Sequence, residues 1–338
     1  MPDRDSKRTV DFHGLRIERR YAPLPGDGMD TVLGSSLSVV ASSPDILLTA
    51  HCHGASADLS DRWQGLPPVF YLGQTQAWMT PEGYVLTDGI SCVSVDLSHS
   101  VIRVDSATEP QEPLPPFVRG MQHLALGLLL REFGIFAIHA AALVANETAI
   151  LIPGDCSAGK TTTALALIAA GCGYLGDDRV LLRRSGDRIE LLAYPREFHV
   201  DAATAHAFPQ WNHAIEPVQV YDGKTGFDPL RAFGKSCTTS WTGPVWIWFP
   251  AIDPNRARSG LEPISQAEAF GMMLGASALA LVDGIRHTKA HLEVLRDLVS
   301  HGTSCSLRLG ADMLTAPQAT ARRLLAETVE TSSACRSA

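Results

Sequence analysis

The sequence predicts an α/β domain built around a glycine-rich phosphate loop and preceded by a small β-rich domain. Three observations carry that prediction. From about residue 10 to residue 105 the chain breaks into short apolar runs of strand length, parted by Gly, Pro and Ser. Further on, the apolar run A-I-L-I-P (149–153) meets G-D-C-S-A-G-K-T and then an Ala- and Leu-rich helical segment, after which strand and helix patterns alternate. Between the two regions S-A-T-E-P-Q-E-P-L-P-P (106–116) has four prolines and no helical period, as a boundary segment does. The expected domains are therefore 1–116 (β-rich), 117–330 (α/β) and a loose tail, 331–338.

In the first region the strand candidates are 14–21, 36–42, 45–50, 68–73, 84–89, 92–97 and 100–105. Residues 118–133 place apolar side chains at 118, 121, 124, 125, 128 and 129, a one-sided helical stripe expected to pack on the sheet that follows. The segment 161–171 reads as a helix closed by Gly171, and 174–195 as strand, turn and strand about Ser185–Asp187. V-W-I-W-F-P (245–250) reads as a buried strand. Ser265 and Glu268 have capping-box spacing before an apolar helix. Two more helices are expected near 287–300 and 316–328, with strand C-S-L-R-L between them.

A hydrophobic fraction of 45% and a charged fraction of 19% are those of an ordinary globular protein. A formal net charge of −8 argues against bulk attraction to nucleic acid or an anionic membrane. The first residues contain no apolar leader and no apolar run reaches a membrane span, so a cytoplasmic protein is expected. The seven cysteines form no paired motif, which predicts free thiols. A-H-C-H-G around Cys52 does not present its three adjacent side chains to one side of a strand, and no second ligand pair follows.

Gly154, Gly159, Lys160 and Thr161 fit G-x-x-x-x-G-K-[ST] in the context the motif requires, between a strand and a helix. Glycines allow backbone N–H groups to close on phosphate oxygens, and the helix N-terminus adds positive potential. The nucleotide-binding residues expected are Gly154, Asp155, Cys156, Ser157, Ala158, Gly159, Lys160, Thr161 and Thr162, with Lys160 on the terminal phosphates and the Thr161 hydroxyl on Mg²⁺. G-C-G-Y-L-G (171–176) matches a dinucleotide fingerprint in letters only, because it follows a helix and enters a strand.

If F-A-I-H-A-A-A-L-V and A-I-L-I-P are antiparallel neighbours joined about Asn146 and Glu147, position 139 faces position 154, and His139 stands at the mouth of the loop. Asp177 and Asp178 follow a short strand reached by a crossover helix, so they arrive at the same edge. One can hold the metal, and the other, beside His139, can take a proton from an incoming hydroxyl. The structural alternative is a core histidine and an aspartate pair that caps a turn and pairs with Arg179. Arg196, Arg231 and Lys235 lie in Gly- and Pro-rich surroundings and are candidate phosphate clamps or ordinary surface cations.

The histidine, G-D-C-S-A-G-K-T and G-D-D-R-V, in this order and spacing, resemble the catalytic domain of the HPr kinase/phosphorylase family, a P-loop fold similar to that of phosphoenolpyruvate carboxykinase. The resemblance covers roughly 130–200, with weaker likeness in 194–209 and 261–270. It implies an ATP- and Mg²⁺-dependent serine kinase with Lys160 on the phosphates, Asp177 as base assisted by His139, and Thr161 with Asp178 on the metal. The β-rich first region and the missing glycine-rich signature after the aspartates depart from that family. In layout the chain looks more like HPr-kinase-like proteins encoded in peptide-modifying, lasso-peptide gene clusters. This resemblance implies a peptide or small-protein serine as phosphate acceptor, no nucleic-acid or membrane partner, and leaves homo-oligomerisation open. HPr itself as acceptor, and an ATP-binding regulatory or assembly module that transfers nothing, are the alternatives. A GTPase would need an N-K-x-D motif, which does not follow the loop.

Overall fold

The computed structural model describes residues 7–20, 44–52, 67–72, 75–89, 91–106, 116–145, 147–194, 198–221, 223–234, 237–282 and 284–336. The protein is mixed α/β, with four sheets among these residues. It divides into two compact units, Met1–Gly134 with Val282–His287, and Ile135–Leu281 with Thr288–Ala338.

The first unit holds one sheet of β1 (Lys7–Phe12), β2 (Leu15–Arg20), β3 (Ile46–Cys52), β4 (Phe70–Leu72), β5 (Thr75–Met79), β6 (Gly83–Thr87), β7 (Cys92–Asp96) and β8 (Val101–Ser106), in the order β1-β2-β3-β8-β7-β6-β5-β4. β3 runs parallel to β2 and β8, and the other pairs are antiparallel. β1 and β5 were not anticipated. Half of K-R-T-V-D-F is charged, and in β5 both Ala77 and Trp78 are buried, which breaks the two-residue alternation that marks a strand. The expected strand 36–42 lies outside the described residues.

Helix α1 (Pro116–Leu130) corrects one expectation, for it packs on β6–β8 of the preceding sheet. Every residue from Met121 to Arg131 is buried, Gln122 and His123 included, so the apolar stripe read from the sequence does not indicate a direction. Gly134 in the left-handed region (φ 69°) ends the following 3₁₀ turn. The returning segment 282–287 is tied into this unit. Arg131 Nε donates to the Arg286 carbonyl at 2.9 Å, and the Arg286 N–H donates to the Tyr84 hydroxyl at 3.1 Å.

In the second unit the strands are β9 (Ile135–Ile138), β10 (Ala140–Ala145), β11 (Thr148–Pro153), β12 (Gly173–Gly176), β13 (Val180–Ser185), β14 (Arg188–Leu192), β15 (Phe198–Val200), β16 (Ile215–Tyr221), β17 (Lys224–Phe227), β18 (Ser240–Trp241), β19 (Val245–Ile252), β20 (Gly260–Pro263) and β21 (Thr303–Leu309). The helices are α2 (Lys160–Ala169), α3 (Ala202–Ala207), α4 (Pro229–Phe233), α5 (Gln266–Gly275), α6 (Thr288–His301), α7 (Asp312–Thr315) and α8 (Pro317–Arg336). The last helix runs through most of the segment expected to be a loose tail.

The central sheet has the order β12-β10-β11-β19-β21-β20. Its strands sort their side chains by alternation. Ala141, Leu143, Ile150, Ile152, Trp246 and Trp248 face one core with α2 and Leu324 of α8. Ala140, Ala142, Leu151, Ile247 and Phe249 face the other with Ala269 and Met273 of α5 and Leu295 and Leu298 of α6. Helices on both faces explain why V-W-I-W-F-P reads as an unbroken apolar run. Ser265 caps α5 as expected, its hydroxyl accepting from the Glu268 N–H at 3.2 Å.

Candidate functional site

Strand direction builds the site. β10 is antiparallel to both β11 and β12, so β11 and β12 run the same way on either side of it. β19 and β21 are parallel to β11 and to one another. Four strands therefore deliver their carboxyl ends to one edge, the edge where open α/β sheets bind ligands. The segment after β11 is the glycine-rich loop, and the segment after β12 is Asp177–Asp178.

The β10–β11 register is the one expected, with Ala140 opposite Pro153 and Ala145 opposite Thr148. One step further, the Gly154 N–H approaches the His139 carbonyl at 3.4 Å. F-A-I-H-A-A-A-L-V is not one strand, however, because it breaks at His139 into β9 and β10. Ile138 faces Val180 in the four-stranded sheet β18-β14-β13-β9, and Ala142 faces Gly176 in the central sheet. One antiparallel ribbon thus passes from sheet to sheet, its register kept from Ile138–Val180 to Ala142–Gly176 and shifted by one residue from Leu143 on, and His139, Asp177 and Asp178 stand at its bend.

Two hydrogen bonds divide the carboxylates between partners. The Thr161 hydroxyl donates to Asp177 Oδ2 at 2.7 Å. His139 Nε2 lies 3.0 Å from Asp178 Oδ1. The sequence-based assignment had His139 beside Asp177 and Thr161 with Asp178; the structure pairs them the other way. Asp177 is 1% exposed, and its Oδ1 is buried without a hydrogen-bond partner among the described residues. Asp178 is open by comparison, with a side chain 40% exposed. Its φ of 65° is unusual for a residue with a Cβ, and such strain is held where the surroundings enforce it. Gly176 makes the bend possible, since a Cβ there would lie 2.9 Å from the Arg179 carbonyl oxygen. The Arg179 guanidinium sits 5.3 Å from the centre of the Tyr194 ring.

Lys160 is 6% exposed, and its ammonium donates to the carbonyls of Gly154 at 2.9 Å and Asp155 at 2.6 Å. Burial lowers its pKa, while Asp177 and then Asp178 pull it back up. Asp155, Cys156 and Ser157 are exposed on the loop, Ala158 is half-buried, and Thr162 bonds Thr204 of α3 at 2.9 Å between hydroxyls. Arg231 lies on α4, its backbone N–H on Asp228. Arg196, Lys235 and the side chain of Cys52 lie outside the described residues. Cys156, Cys172, Cys237 and Cys305 are free thiols.

Gly159, at φ 94° at the start of α2, is fixed twice over, because a Cβ would also collide with the Leu309 side chain. Gly159→Ala should lower stability by about 2–4 kcal/mol, from left-handed strain and overpacking together. Denaturant melts read this directly, and an unshifted midpoint would show that the loop has a different backbone.

Burial pushes the Asp177 carboxyl up to about 6 against the Thr161 hydrogen bond, with Asp178 adding to the rise and Lys160 opposing it. A carboxyl raised from 3.8 in this way favours the folded state at low pH, and that contribution is lost as pH rises through about 6. Asp177→Asn should therefore make the ligand-free protein more stable above about pH 7, by on the order of 1–2 kcal/mol. The gain should shrink towards about pH 4, and melts showing a pH-independent difference would contradict the burial of this charge.

The metal expected from the sequence needs hard oxygen donors. The Thr161 hydroxyl and both Asp177 oxygens, one of them without a partner, meet that need at one point. No cluster of three or more His, Cys, Asp or Glu side chains suited to a metal occurs among the described residues. Mg²⁺ bound with substrate phosphates requires only one or two carboxylates.

Sequence reasoning missed the loop after β19, residues 253–259, which reaches the same edge. The signal available was V-W-I-W-F-P itself, because a strand buried on both faces in an α/β sheet runs parallel to its neighbours and ends at the ligand edge. No helix among the described residues is long and apolar enough to cross a membrane.

No protein-family model matches the chain. No curated protein matches it either. Among solved structures it is similar to the Hpr(Ser) kinase/phosphatase from Coxiella burnetii at 13% identity, over 57% of this chain and 97% of that one, with a TM-score of 0.28, a likeness too slight to bear on what this chain does.

Proposed function

We propose that the protein is an ATP-dependent kinase that transfers the γ-phosphoryl group to a serine hydroxyl of a peptide or small protein. The observation that carries this reading is the division of the two aspartates at the edge of one loop, Asp177 on Thr161 and Asp178 on His139. A module that only binds nucleotide has no use for the second pair.

In this reading the loop 154–159 and the first turn of α2 receive the phosphates through backbone N–H groups, and Lys160 leaves the Gly154 and Asp155 carbonyls for the terminal phosphate oxygens. Thr161 and Asp177 would hold Mg²⁺, a hydroxyl and a carboxylate as in other phosphate-loop sites. The cation, when bound, supplies charge neutralisation at the phosphates. This reverses the sequence-based division of roles, in which Asp177 was the base and Asp178 the metal ligand. Asp177 is too buried to meet a protein hydroxyl, whereas Asp178 is accessible and oriented by His139. Asp178 accepts the serine proton as the serine oxygen bonds to the γ-phosphorus, the bond to the β-bridging oxygen breaks, and ADP leaves.

The test is labelled ATP with Mg²⁺ and serine-containing peptides, those encoded beside this gene first and HPr as a separate arm. A labelled phosphoserine is expected. ATP turnover without a labelled acceptor in any arm would replace this reading by that of a hydrolysing regulatory or assembly module.

A further inference from the structure

Three parallel strands, β11, β19 and β21, end beside one another, and the loop-and-helix after β11 meets the ends of the other two at Gly159. A Cβ at Gly159 would collide with Leu309, the last residue of β21, and would stand 3.7 Å from Cγ1 of Ile252, the last residue of β19. The six residues before Ala251 in β19 are all buried, yet Ile252 is 60% exposed. An isoleucine left in water at the border of the phosphate loop is an apolar ledge continuous with the proposed nucleotide site.

The ledge is rigid. The Asp253 N–H donates to the Leu309 carbonyl at 2.9 Å, and the N–H groups of Ala311 and Asp312 donate to the carbonyls of Arg256 and Ala257 at 2.9 and 3.1 Å. Asp312 in turn accepts from the Ser259 N–H and hydroxyl at 2.7 and 2.6 Å. The loops after β19 and β21 are thus stapled into one surface. It lies on the side of β11 away from Asp177 and Asp178, which leaves the opposite side of the phosphates for the acceptor.

We propose that the nucleoside half of the nucleotide lies on this ledge, its base against Ile252. The inference rests on the reading of 154–161 as a phosphate loop and adds the subsite that holds the rest of the ligand. A flat purine covering one aliphatic side chain gains affinity without reading base edges, in keeping with the lack of N-K-x-D.

The experiment compares ATP with inorganic tripolyphosphate, each titrated with Mg²⁺ into the wild type and Ile252→Ala by calorimetry. Ile252 is exposed, so the substitution leaves the core intact. Ile252→Ala is expected to raise the Kd for ATP about 5- to 20-fold and to leave that for tripolyphosphate within about 2-fold. Wild-type protein that binds both ligands equally, or a variant with an unchanged ATP Kd, overturns the ledge and leaves the phosphate loop standing. A variant that weakens both ligands alike also overturns it, since Ile252 would then act on the loop. Wild-type protein that binds neither ligand overturns the phosphate-loop reading, and the ledge with it.

Discussion

Asp178→Asn is expected to lower phosphoryl transfer by roughly 10²- to 10⁴-fold while leaving the Kd for ATP within about 2-fold. The substitution keeps the shape of the side chain and its hydrogen bond to His139, but an amide cannot take the serine proton. Asp178 is accessible and hydrogen-bonded to an imidazole 3.0 Å away, so the amide leaves in place the hydrogen bonds of the buried Thr161–Asp177 pair and of Lys160, and removes only a neighbouring charge that raises the pKa of both Asp177 and Lys160. The companion Asp177→Asn should behave differently, losing Mg²⁺-dependent ATP affinity together with transfer. Single-turnover kinetics alongside calorimetry separate the two outcomes. Full transfer by Asp178→Asn, with loss confined to Asp177→Asn and ATP affinity retained, would return the base to Asp177.

Lys160→Ala should abolish both functions, with transfer reduced by roughly 10²- to 10³-fold or more and ATP affinity falling with it. The ammonium is nearly buried and is held by two loop carbonyls, so water cannot replace it as a counter-charge for phosphate oxygens. The variant also leaves the Gly154 and Asp155 carbonyls without their donor, and some loss of stability is expected from that alone. Titration with tripolyphosphate distinguishes the effects. A folded Lys160→Ala protein that binds tripolyphosphate as well as the wild type would show that the lysine is a structural clamp on the loop and nothing more.

The glycine-rich loop, its strand and its helix were legible because each rests on local chemistry: a strand-length apolar run, glycines where the backbone must turn, and a helical period after Thr161. The β10–β11 register was legible as well, since a short turn about Glu147 (φ 62°) leaves little freedom in pairing. Which aspartate faces which partner was not. That choice depends on the bend of the ribbon at 139–141 and 177–179 and on the left-handed turn at Asp178, a conformation that aspartate tolerates but that no local pattern announces. The packing of α1 was misread for a related reason, for its residues are buried on every side from Met121 to Leu130, and the apolar stripe read from the sequence does not say which sheet it meets. The joining of segment 282–287 to the first unit depends on pairings far apart in sequence, Arg286 with Tyr84 and Glu132, which no local pattern announces.

The central claim is that Lys160, Thr161, Asp177, Asp178 and His139 surround the outermost phosphoryl group of one nucleotide. A crystal structure with a non-hydrolysable ATP analogue and Mg²⁺ tests it most directly. The account predicts the γ-phosphate on Lys160 Nζ, Mg²⁺ held by Thr161 and Asp177, and an Asp178 oxygen turned towards the open side of the γ-phosphorus. Triphosphate bound away from the 154–161 loop, or Asp178 pointing away from the γ-phosphate, would contradict it.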